Sequence, residues 1–357
     1  MTEFKLSSIV KQLKKDFGSL SIAEDMVDPH DFVSTGNLAF DLISDGGIPY
    51  GGIAEFLGLS ASGKSTIIQR VIANSQKKFG AVGILIDREK AYTKKRAEQL
   101  GIDNDNIMVL PPENAILVSD AFNFLIDSIT KIRAKSKDIY ITAAIDSIGA
   151  FDQDTSLENS STPRKAKSLH AGFRKIMPYI DDKVMFLFTN HVTYRIVLYG
   201  NPATSSGGEA PKYYSNVRFS LEDAKTIIDP KRNNEVMGNW LRMESIKTRL
   251  GPCHRSCMVR HLFKTGIDYY SGYARLLADR GYLKPKNKKE FNKFNQTTLK
   301  YNDSEINSDK MEEALAKFPE LLFSEYPEYN IVEESEEEIE EEIEGEDEWN
   351  LPEHQGL

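Results

Sequence analysis

The amino-acid sequence predicts an α/β fold in which helices flank a mainly parallel, twisted sheet. A glycine-rich loop at residues 58–65 joins a short apolar stretch to a segment with helical periodicity, as in a strand–loop–helix unit. Three apolar runs, at residues 81–87, 139–147 and 183–191, each end in polar side chains. Such continuous runs are typical of parallel strands that are buried on both faces. With 357 residues, the chain is long enough for one main domain with appendages.

The net charge of −9 comes from the acidic C-terminal segment, and the rest of the chain is mildly basic. From Glu333 to the C-terminus the chain carries 13 acidic residues and neither lysine nor arginine, whereas the remainder carries 45 basic against 41 acidic residues. We therefore expect residues 331–357 to form an acidic, disordered tail.

The sequence contains no 18-residue apolar span and no apolar run typical of a signal peptide, which argues against a membrane partner. Its two cysteines, Cys253 and Cys257, flank His254 without a second cysteine pair to complete a four-ligand zinc site. We expect free thiols and a cytoplasmic location, because reduced thiols persist in a reducing compartment.

A short amphipathic helix is predicted near the N-terminus. Ser7 or Ser8 can cap it, and Ile9, Leu13 and Phe17 lie on one helical face. That face can be buried on the chain's own core or on a neighbouring subunit, and the sequence leaves both open. We assign residues 1–32 to an oligomerisation helix with its linker.

The glycine-rich loop fits the pattern G-x-x-x-x-G-K-[ST] of a phosphate-binding loop. Its glycines allow backbone N–H groups to point at an anion, and the helix that follows favours negative charge at its N-terminus. Lys64 can reach the outer phosphates, and the Ser65 hydroxyl can hold Mg²⁺. These features predict a nucleoside triphosphate site, formed by Gly58, Leu59, Ser60, Ala61, Ser62, Gly63, Lys64, Ser65 and Thr66.

Carboxylates follow two of the apolar runs. Glu89 comes shortly after the run that ends at Asp87, and Asp146 ends the next one. The carboxyl ends of parallel strands lie on the ligand side of an open α/β sheet. We therefore predict Glu89 as the residue that polarises the attacking water. Asp146 is predicted to order Mg²⁺ through water or Ser65.

Two long polar segments follow the runs that end near Asp146 and His191, so both should emerge close to the nucleotide. Long loops of this kind are commonly functional. Their arginine, lysine and tyrosine side chains suit phosphate contacts and base stacking. The candidate DNA-binding residues in and beside them are Lys165, Lys167, Arg174, Arg195, Tyr199, Asn201, Gly207 and Gly208.

The remainder of the chain reads as strands at residues 212–221 and 239–249, then helices at 276–283 and 311–326. The second strand ends in Lys247-Thr-Arg249, which is also compatible with a charged edge strand that discourages aggregation. From residue 266 the composition changes to a small lobe with a basic face.

The order and spacing of these segments resemble the RecA family of homologous-recombination ATPases, from the N-terminal helix through about residue 285. The most specific likeness begins with Thr189-Asn190-His191 and continues through Tyr199-Gly-Asn-Pro to Gly207-Gly208, a combination that other phosphate-loop ATPases lack. An Asn-His pair in place of Asn-Gln is reminiscent of phage recombinases of the UvsX type. The other matching segments are the phosphate loop and residues 33–36, 46–51, 86–91, 97–103 and 145–147.

The resemblance implies a RecA-type ATPase core at residues 33–265 and a small C-terminal α/β domain at 266–330. Glu89 matches the family's catalytic glutamate, and Asp146 matches its Walker B aspartate. His191 occupies the position of the γ-phosphate sensor, where the family commonly has glutamine.

The resemblance also implies roles for further residues. Lys247 and Arg249 match basic residues that reach across a subunit interface to the neighbour's nucleotide, with Arg249 standing where lysine is usual. Arg96 falls where the family often stacks an aromatic side chain on adenine. The segments at 152–164 and 192–206 match the two DNA-binding loops.

The resemblance thus implies an ATP-dependent DNA recombinase that uses ATP and Mg²⁺. Such a protein assembles as a helical filament on single-stranded DNA and exchanges strands with homologous double-stranded DNA. Single-strand-binding and loader proteins are further candidate partners. Two alternatives remain open, a ring-forming ATPase of the same fold and a non-catalytic DNA-binding accessory protein. Filaments rather than rings on DNA would exclude the first, and DNA-stimulated ATP hydrolysis would exclude the second.

Overall fold

The computed structural model describes most of the chain between residues 6 and 321. The described ranges are 6–17, 31–114, 117–151, 164–194, 203–205, 207–286, 298–302 and 304–321. The chain divides into two compact units, residues 1–321 and 322–357. The second unit, which includes the predicted acidic tail, lies outside the described residues.

The helices follow the predicted alternation with strands. They are α1 (Leu6–Phe17), α2 (Leu38–Ile43), α3 (Lys64–Phe79), α4 (Lys94–Gln99), α5 (Val118–Lys135), α6 (Arg164–Ile176), α7 (Ala210–Tyr214), α8 (Tyr273–Asp279) and α9 (Met311–Lys317). None of the helices in the described ranges is long and apolar enough to cross a membrane.

The strands belong to one large sheet and two small ones. They are β1 (Phe32–Val33), β2 (Ile48–Pro49), β3 (Ile53–Gly58), β4 (Val82–Asp87), β5 (Ile107–Leu110), β6 (Ile141–Asp146), β7 (Val184–Tyr194), β8 (Ala203–Ser205), β9 (Val217–Asp229), β10 (Glu235–Lys247), β11 (Ser256–Leu262), β12 (Gly266–Ile267), β13 (Lys284–Pro285), β14 (Thr298–Tyr301) and β15 (Ser304–Asn307).

The large sheet has the order β12-β11-β10-β9-β3-β7-β6-β4-β5, with β8 paired to β7. Strands β9, β3, β7, β6, β4 and β5 are parallel to one another. Strands β10, β11 and β12 continue the sheet in antiparallel fashion. The mainly parallel α/β sheet that the apolar runs predict is therefore confirmed.

Helices cover both faces of the parallel strands, which explains their continuous apolar sequences. On one face, α5 and α6 share an apolar cluster with alternate residues such as Ala143 of β6. The neighbouring Thr142 points to the other face, where its hydroxyl lies 2.6 Å from that of Ser75 on α3. Residues of β3, β4 and β6 are consequently buried almost throughout.

The register of the parallel strands brings their carboxyl ends together. Gly58 pairs with His191 across β3 and β7, and Asp87 pairs with Asp146 across β4 and β6. The phosphate loop and the candidate carboxylates therefore meet at one edge of the sheet, as an open parallel sheet requires.

Two predictions around the second polar segment were wrong in their bounds. The strand predicted at 212–221 begins only at Val217, because residues before it form α7 with Pro211 in its first turn. Proline at that position favours a helix start, since its φ is fixed and its missing N–H is not needed there. The preceding loop also begins later than predicted, because β7 extends to Tyr194 and pairs with β8.

The two C-terminal helices also differ from their predicted bounds. Helix α8 starts three residues earlier than predicted and ends at Asp279, ahead of Gly281, whose φ is 79°. Helix α9 ends at Lys317 rather than continuing to 326, because Pro319 cannot extend the helical hydrogen bonding. In the same region β13, β14 and β15 form a three-stranded antiparallel sheet.

Candidate functional site

The phosphate loop adopts the conformation of an anion-binding turn between β3 and α3. Ala61 and Gly63 have positive φ values of 64° and 81°, and α3 begins directly after Gly63. Alternation of left-handed and right-handed residues turns successive backbone N–H groups toward one side, where an anion can bind. Gly58 must be glycine, because a Cβ there would lie 2.4 Å from the Ser62 hydroxyl and 2.5 Å from the Leu221 carbonyl oxygen.

The Lys64 ammonium lies at the centre of this loop. Its Nζ donates to the carbonyl oxygen of Gly58 at 3.1 Å and to that of Leu59 at 2.6 Å. Burial lowers the pKa of Lys64, although the charges of Glu89 and Asp146 oppose that shift. A cation held by loop carbonyls can turn outward to a phosphate without a large rearrangement.

Asp146 is buried at the end of β6. Its carboxylate accepts hydrogen bonds from the hydroxyls of Thr189, at 2.5 Å, and Ser65. Burial raises the pKa of Asp146, while these two hydrogen bonds act to lower it.

The adjoining Ser65 and Asp146 side chains supply the oxygen ligands that Mg²⁺ prefers, so the site fits this ion. Within the described ranges no group of three or more His, Cys, Asp or Glu side chains could hold a metal. Mg²⁺ commonly binds through one or two protein ligands plus substrate phosphates, which matches this arrangement.

Glu89 lies above the loop, where its Oε1 is 2.8 Å from Nε2 of His191. The turn that carries it is closed by Asp87, whose carboxylate accepts from the backbone N–H groups of Ala91 and Tyr92. Partial burial acts to raise the pKa of Glu89. The nearby Ser147 hydroxyl, the hydrogen bond from His191 and the charges of His191 and Lys64 together outweigh burial, so the pKa is lowered. Glu89 is therefore an ionised acceptor at neutral pH.

A buried polar chain holds the strand end that carries His191. The fully buried Glu55 accepts hydrogen bonds from Arg218 Nε and, at 2.8 Å, from Asn190 Nδ2. Asn190 Oδ1 in turn accepts from the backbone N–H of His191 at 2.9 Å. Hydrogen-bonded buried pairs of this kind fix side-chain orientation, because breaking them leaves a charge without a partner.

The loop, Glu89 and His191 line one pocket, and two residues that the sequence interpretation did not single out line it as well. These are His261 and Phe263, at the end of β11 and directly after it. Their only local sequence signal is a histidine in an alternating strand, which more commonly indicates core packing. The fold brings β11 beside the loop through the antiparallel extension of the sheet.

Arg96 and Lys247, which the sequence also assigns to a nucleotide site, do not line this pocket. Arg96 is on α4, where its guanidinium donates to the Lys264 carbonyl oxygen at 2.6 Å. Lys247, at the end of β10, donates to the Lys212 carbonyl oxygen at 2.7 Å. Burial lowers the pKa of Lys247, and the nearby charges of Arg249 and Arg218 lower it further.

Of the predicted DNA-binding residues, five lie in the described ranges. Lys167 and Arg174 are exposed on α6, and Lys165 at its start donates to the Gly149 carbonyl oxygen. A Cβ on Gly207 would lie 2.5 Å from Leu169, and one on Gly208 would lie 3.1 Å from Ala166. The Gly-Gly pair therefore packs closely on the helix that carries the cations. Arg195, Tyr199 and Asn201 lie outside the described residues.

Helix α1 forms where the sequence predicts it. Ile9 and Leu13 on its apolar face are 39% and 37% exposed, so neither is buried in the chain's own core. The two cysteines are free thiols, as expected.

The strand–loop–helix geometry at residues 53–79 and the mainly parallel sheet are those of the phosphate-loop nucleotide-binding proteins. Residues 4–268 match the sequence profile described as the RecA N-terminal domain. The chain therefore belongs to the RecA family.

Curated relatives support this assignment. The chain is 30% identical to a protein called RecA from Bifidobacterium breve, over 73% of this chain and 66% of the relative. It is 29% identical to the RecA of Bacteroides thetaiotaomicron, over 78% and 84% of the two chains, and 27% identical to that of a Wolbachia strain of Brugia malayi, over 92% and 93%. These relationships support ATP-dependent DNA strand exchange in recombination and repair as the function.

Proposed function

We propose that this chain hydrolyses ATP, in a DNA-dependent manner, as a subunit of a helical filament that exchanges DNA strands. The observation that carries the proposal is the 2.8 Å contact between Glu89 and His191 over the phosphate loop. It supports the proposal because an ionised acceptor and a second polar group line the same pocket as the phosphate loop.

In this proposal each residue at the loop has one task. Lys64 and the loop N–H groups bind the β- and γ-phosphates, and Glu89 orients the attacking water. Mg²⁺, bound by Ser65 and by Asp146 directly or through water, would supply charge neutralisation at the phosphates. His191 would exchange its bond to Glu89 for one to the γ-phosphate, and so report nucleotide state to the segment after β7.

DNA would bind along the side of the molecule where α6 and the Gly207-Gly208 turn meet. Lys165, Lys167 and Arg174 supply phosphate contacts there. We assign Arg195, Tyr199 and Asn201 to the same surface on sequence grounds. Arg96 is proposed to stack on adenine, since a guanidinium can lie against a base.

Lys247 and Arg249 would complete the ATP site of the next subunit, because they do not line the pocket of their own chain. The exposed apolar face of α1 would pack on the same neighbour. A site completed across an interface makes hydrolysis depend on assembly, and its cations offset transition-state charge. We also propose domain boundaries at residues 32, 265 and 330. The protein would be cytoplasmic, and single-strand-binding and loader proteins would be further partners.

The test compares ATP hydrolysis and strand exchange for the wild type, Lys64→Ala and Glu89→Gln, each with and without single-stranded DNA. We expect Lys64→Ala to lose nucleotide binding, and Glu89→Gln to bind ATP but lose at least about 100-fold in hydrolysis, as expected when water orientation is removed. Lys131→Ala removes an exposed lysine of α5 that has no part in the proposed ATP or DNA sites, and is the matched control that should behave as the wild type does. DNA-stimulated hydrolysis that survives Glu89→Gln unchanged would overturn the proposed mechanism.

A further inference from the structure

His261 presents two hydrogen-bonding atoms that the protein itself does not satisfy. His261 is 6% exposed and lines the phosphate-loop pocket. Neither Nδ1 nor Nε2 has a hydrogen-bond partner among the described residues. Buried polar atoms are nearly always hydrogen-bonded, and a neutral imidazole offers one donor and one acceptor. A ligand in the pocket is the natural source of the missing partner.

The position of His261 along the pocket indicates which part of a nucleotide it meets. Lys64, Glu89 and His191 mark the end of the pocket that faces the terminal phosphate. His261 lies beside the loop, with Nδ1 3.5 Å from the place of a Cβ on Gly63. Beyond it, Phe263 has its ring centroid 6.0 Å from that of His261 and is 50% exposed.

The order of loop, imidazole and exposed aromatic ring matches the order of phosphate, ribose and base in a nucleotide. We propose that His261 is a specificity-determining residue that hydrogen-bonds a ribose hydroxyl of the bound nucleotide. The inference rests on the proposed function, since it assigns one contact within the same ATP site. A ribose hydroxyl both donates and accepts, so it can pair with either ring nitrogen.

The electrostatic surroundings agree with a neutral imidazole. Burial lowers the pKa of His261, the charge of Arg96 lowers it further, and Asp223 opposes the shift. A neutral ring keeps one acceptor nitrogen, whereas a protonated ring would be a donor only. The ring therefore retains the two-way hydrogen bonding that a hydroxyl can use.

The test measures nucleotide affinity of the full chain with Mg²⁺, comparing the wild type with His261→Phe. The ligands are ATP, 2′-deoxy-ATP, 3′-deoxy-ATP and inorganic triphosphate. We expect His261→Phe to weaken ATP about three- to tenfold, the size of one neutral hydrogen bond. Inorganic triphosphate should bind both proteins equally. The deoxynucleotide that lacks the bonded hydroxyl should also bind both proteins equally.

Two further variants serve as controls. His261→Asn keeps a donor and an acceptor and should recover part of the ATP affinity. His254→Phe replaces an exposed histidine outside the pocket, and should bind every ligand as the wild type does.

Three results would overturn the ribose contact. They are unchanged ATP affinity in His261→Phe, an equal loss for inorganic triphosphate, and an equal loss for both deoxynucleotides. If ATP affinity is unchanged in His261→Phe while DNA-stimulated hydrolysis persists, the ribose contact is wrong but the proposed function is not contradicted. A wild-type chain that binds no ATP would overturn that function instead.

Discussion

At the scale of single residues, buried polar groups set how this protein responds to pH. Asp41 of α2 accepts hydrogen bonds from the hydroxyls of Ser34 and Thr35 and from the Thr35 N–H. Burial nevertheless raises the pKa of Asp41 to about 6, because these hydrogen bonds only partly offset the loss of water. The folded chain therefore binds this proton more tightly than the unfolded chain does.

The sign of the pH effect follows from linkage. A carboxyl whose pKa is raised in the folded state favours folding when it is protonated and opposes folding when it is ionised. The free energy of unfolding should therefore fall as pH rises from about 4 to about 6. Asp41 is half-buried by its surface exposure, so solvent screens part of the effect, and we expect it to contribute about 1–2 kcal/mol to that fall. The measurement is the urea-unfolding free energy of wild type and Asp41→Asn at pH values across this window.

Asp41→Asn should remove that part of the pH dependence. Asp279→Asn changes a carboxylate whose side chain is 45% exposed, and should keep the wild-type dependence. If the unfolding free energies of wild type and Asp41→Asn changed with pH in parallel, the Asp41 carboxyl would not be the source of the pH dependence.

At the scale of elements, one close contact controls how α6 lies on α5. A Cβ on Gly172 would be 2.4 Å from Cδ2 of Phe122, which is fully buried and contacts Phe173 and Phe186. The ring cannot move without displacing those neighbours. Because α6 also carries Lys165 and Lys167, the same contact helps to fix the proposed DNA surface.

We expect Gly172→Ala to destabilise the fold. Overpacking of a well-packed core costs about 1–3 kcal/mol, which exceeds the gain of about 0.5–1 kcal/mol from replacing a helical glycine with alanine. Lys175→Ala on the exposed side of α6 should stay within about 0.5 kcal/mol of the wild type. Denaturant unfolding of the three proteins measures both effects, and a stabilised Gly172→Ala would mean that the helices separate at little cost.

Sequence patterns predicted the elements with strong local signals and missed those that depend on the neighbours. The strand–loop–helix unit at Gly58 to Ser65 and the strands that end near Asp87, Asp146 and His191 follow from continuous apolar runs. The bounds of α7 depend on Pro211, which the alternation of residues 212–221 obscured. His261 could not be recognised as a pocket residue, because only the antiparallel extension of the sheet places β11 beside the loop.

At the scale of the whole molecule, one chain contains two separated parts of the proposed ATP site. Glu89 lies at the phosphate loop, whereas Lys247 at the end of β10 lies outside the pocket lining and is hydrogen-bonded to the Lys212 carbonyl oxygen. Arg249 nearby is exposed. A head-to-tail assembly would bring these cations to the pocket of the next subunit, and such heterologous contacts generate helical filaments when the rotation does not close.

This geometry makes a prediction for mixtures of two inactive variants. Glu89→Gln lacks the water-orienting carboxylate, and the double variant Lys247→Ala with Arg249→Ala lacks the cations. Each alone should be inactive in DNA-stimulated ATP hydrolysis. In a random one-to-one filament about a quarter of the interfaces pair an intact Glu89 with intact cations of the next subunit, so about a quarter of wild-type activity should return. If both groups acted within one chain, mixing would restore nothing, because no subunit carries a complete set.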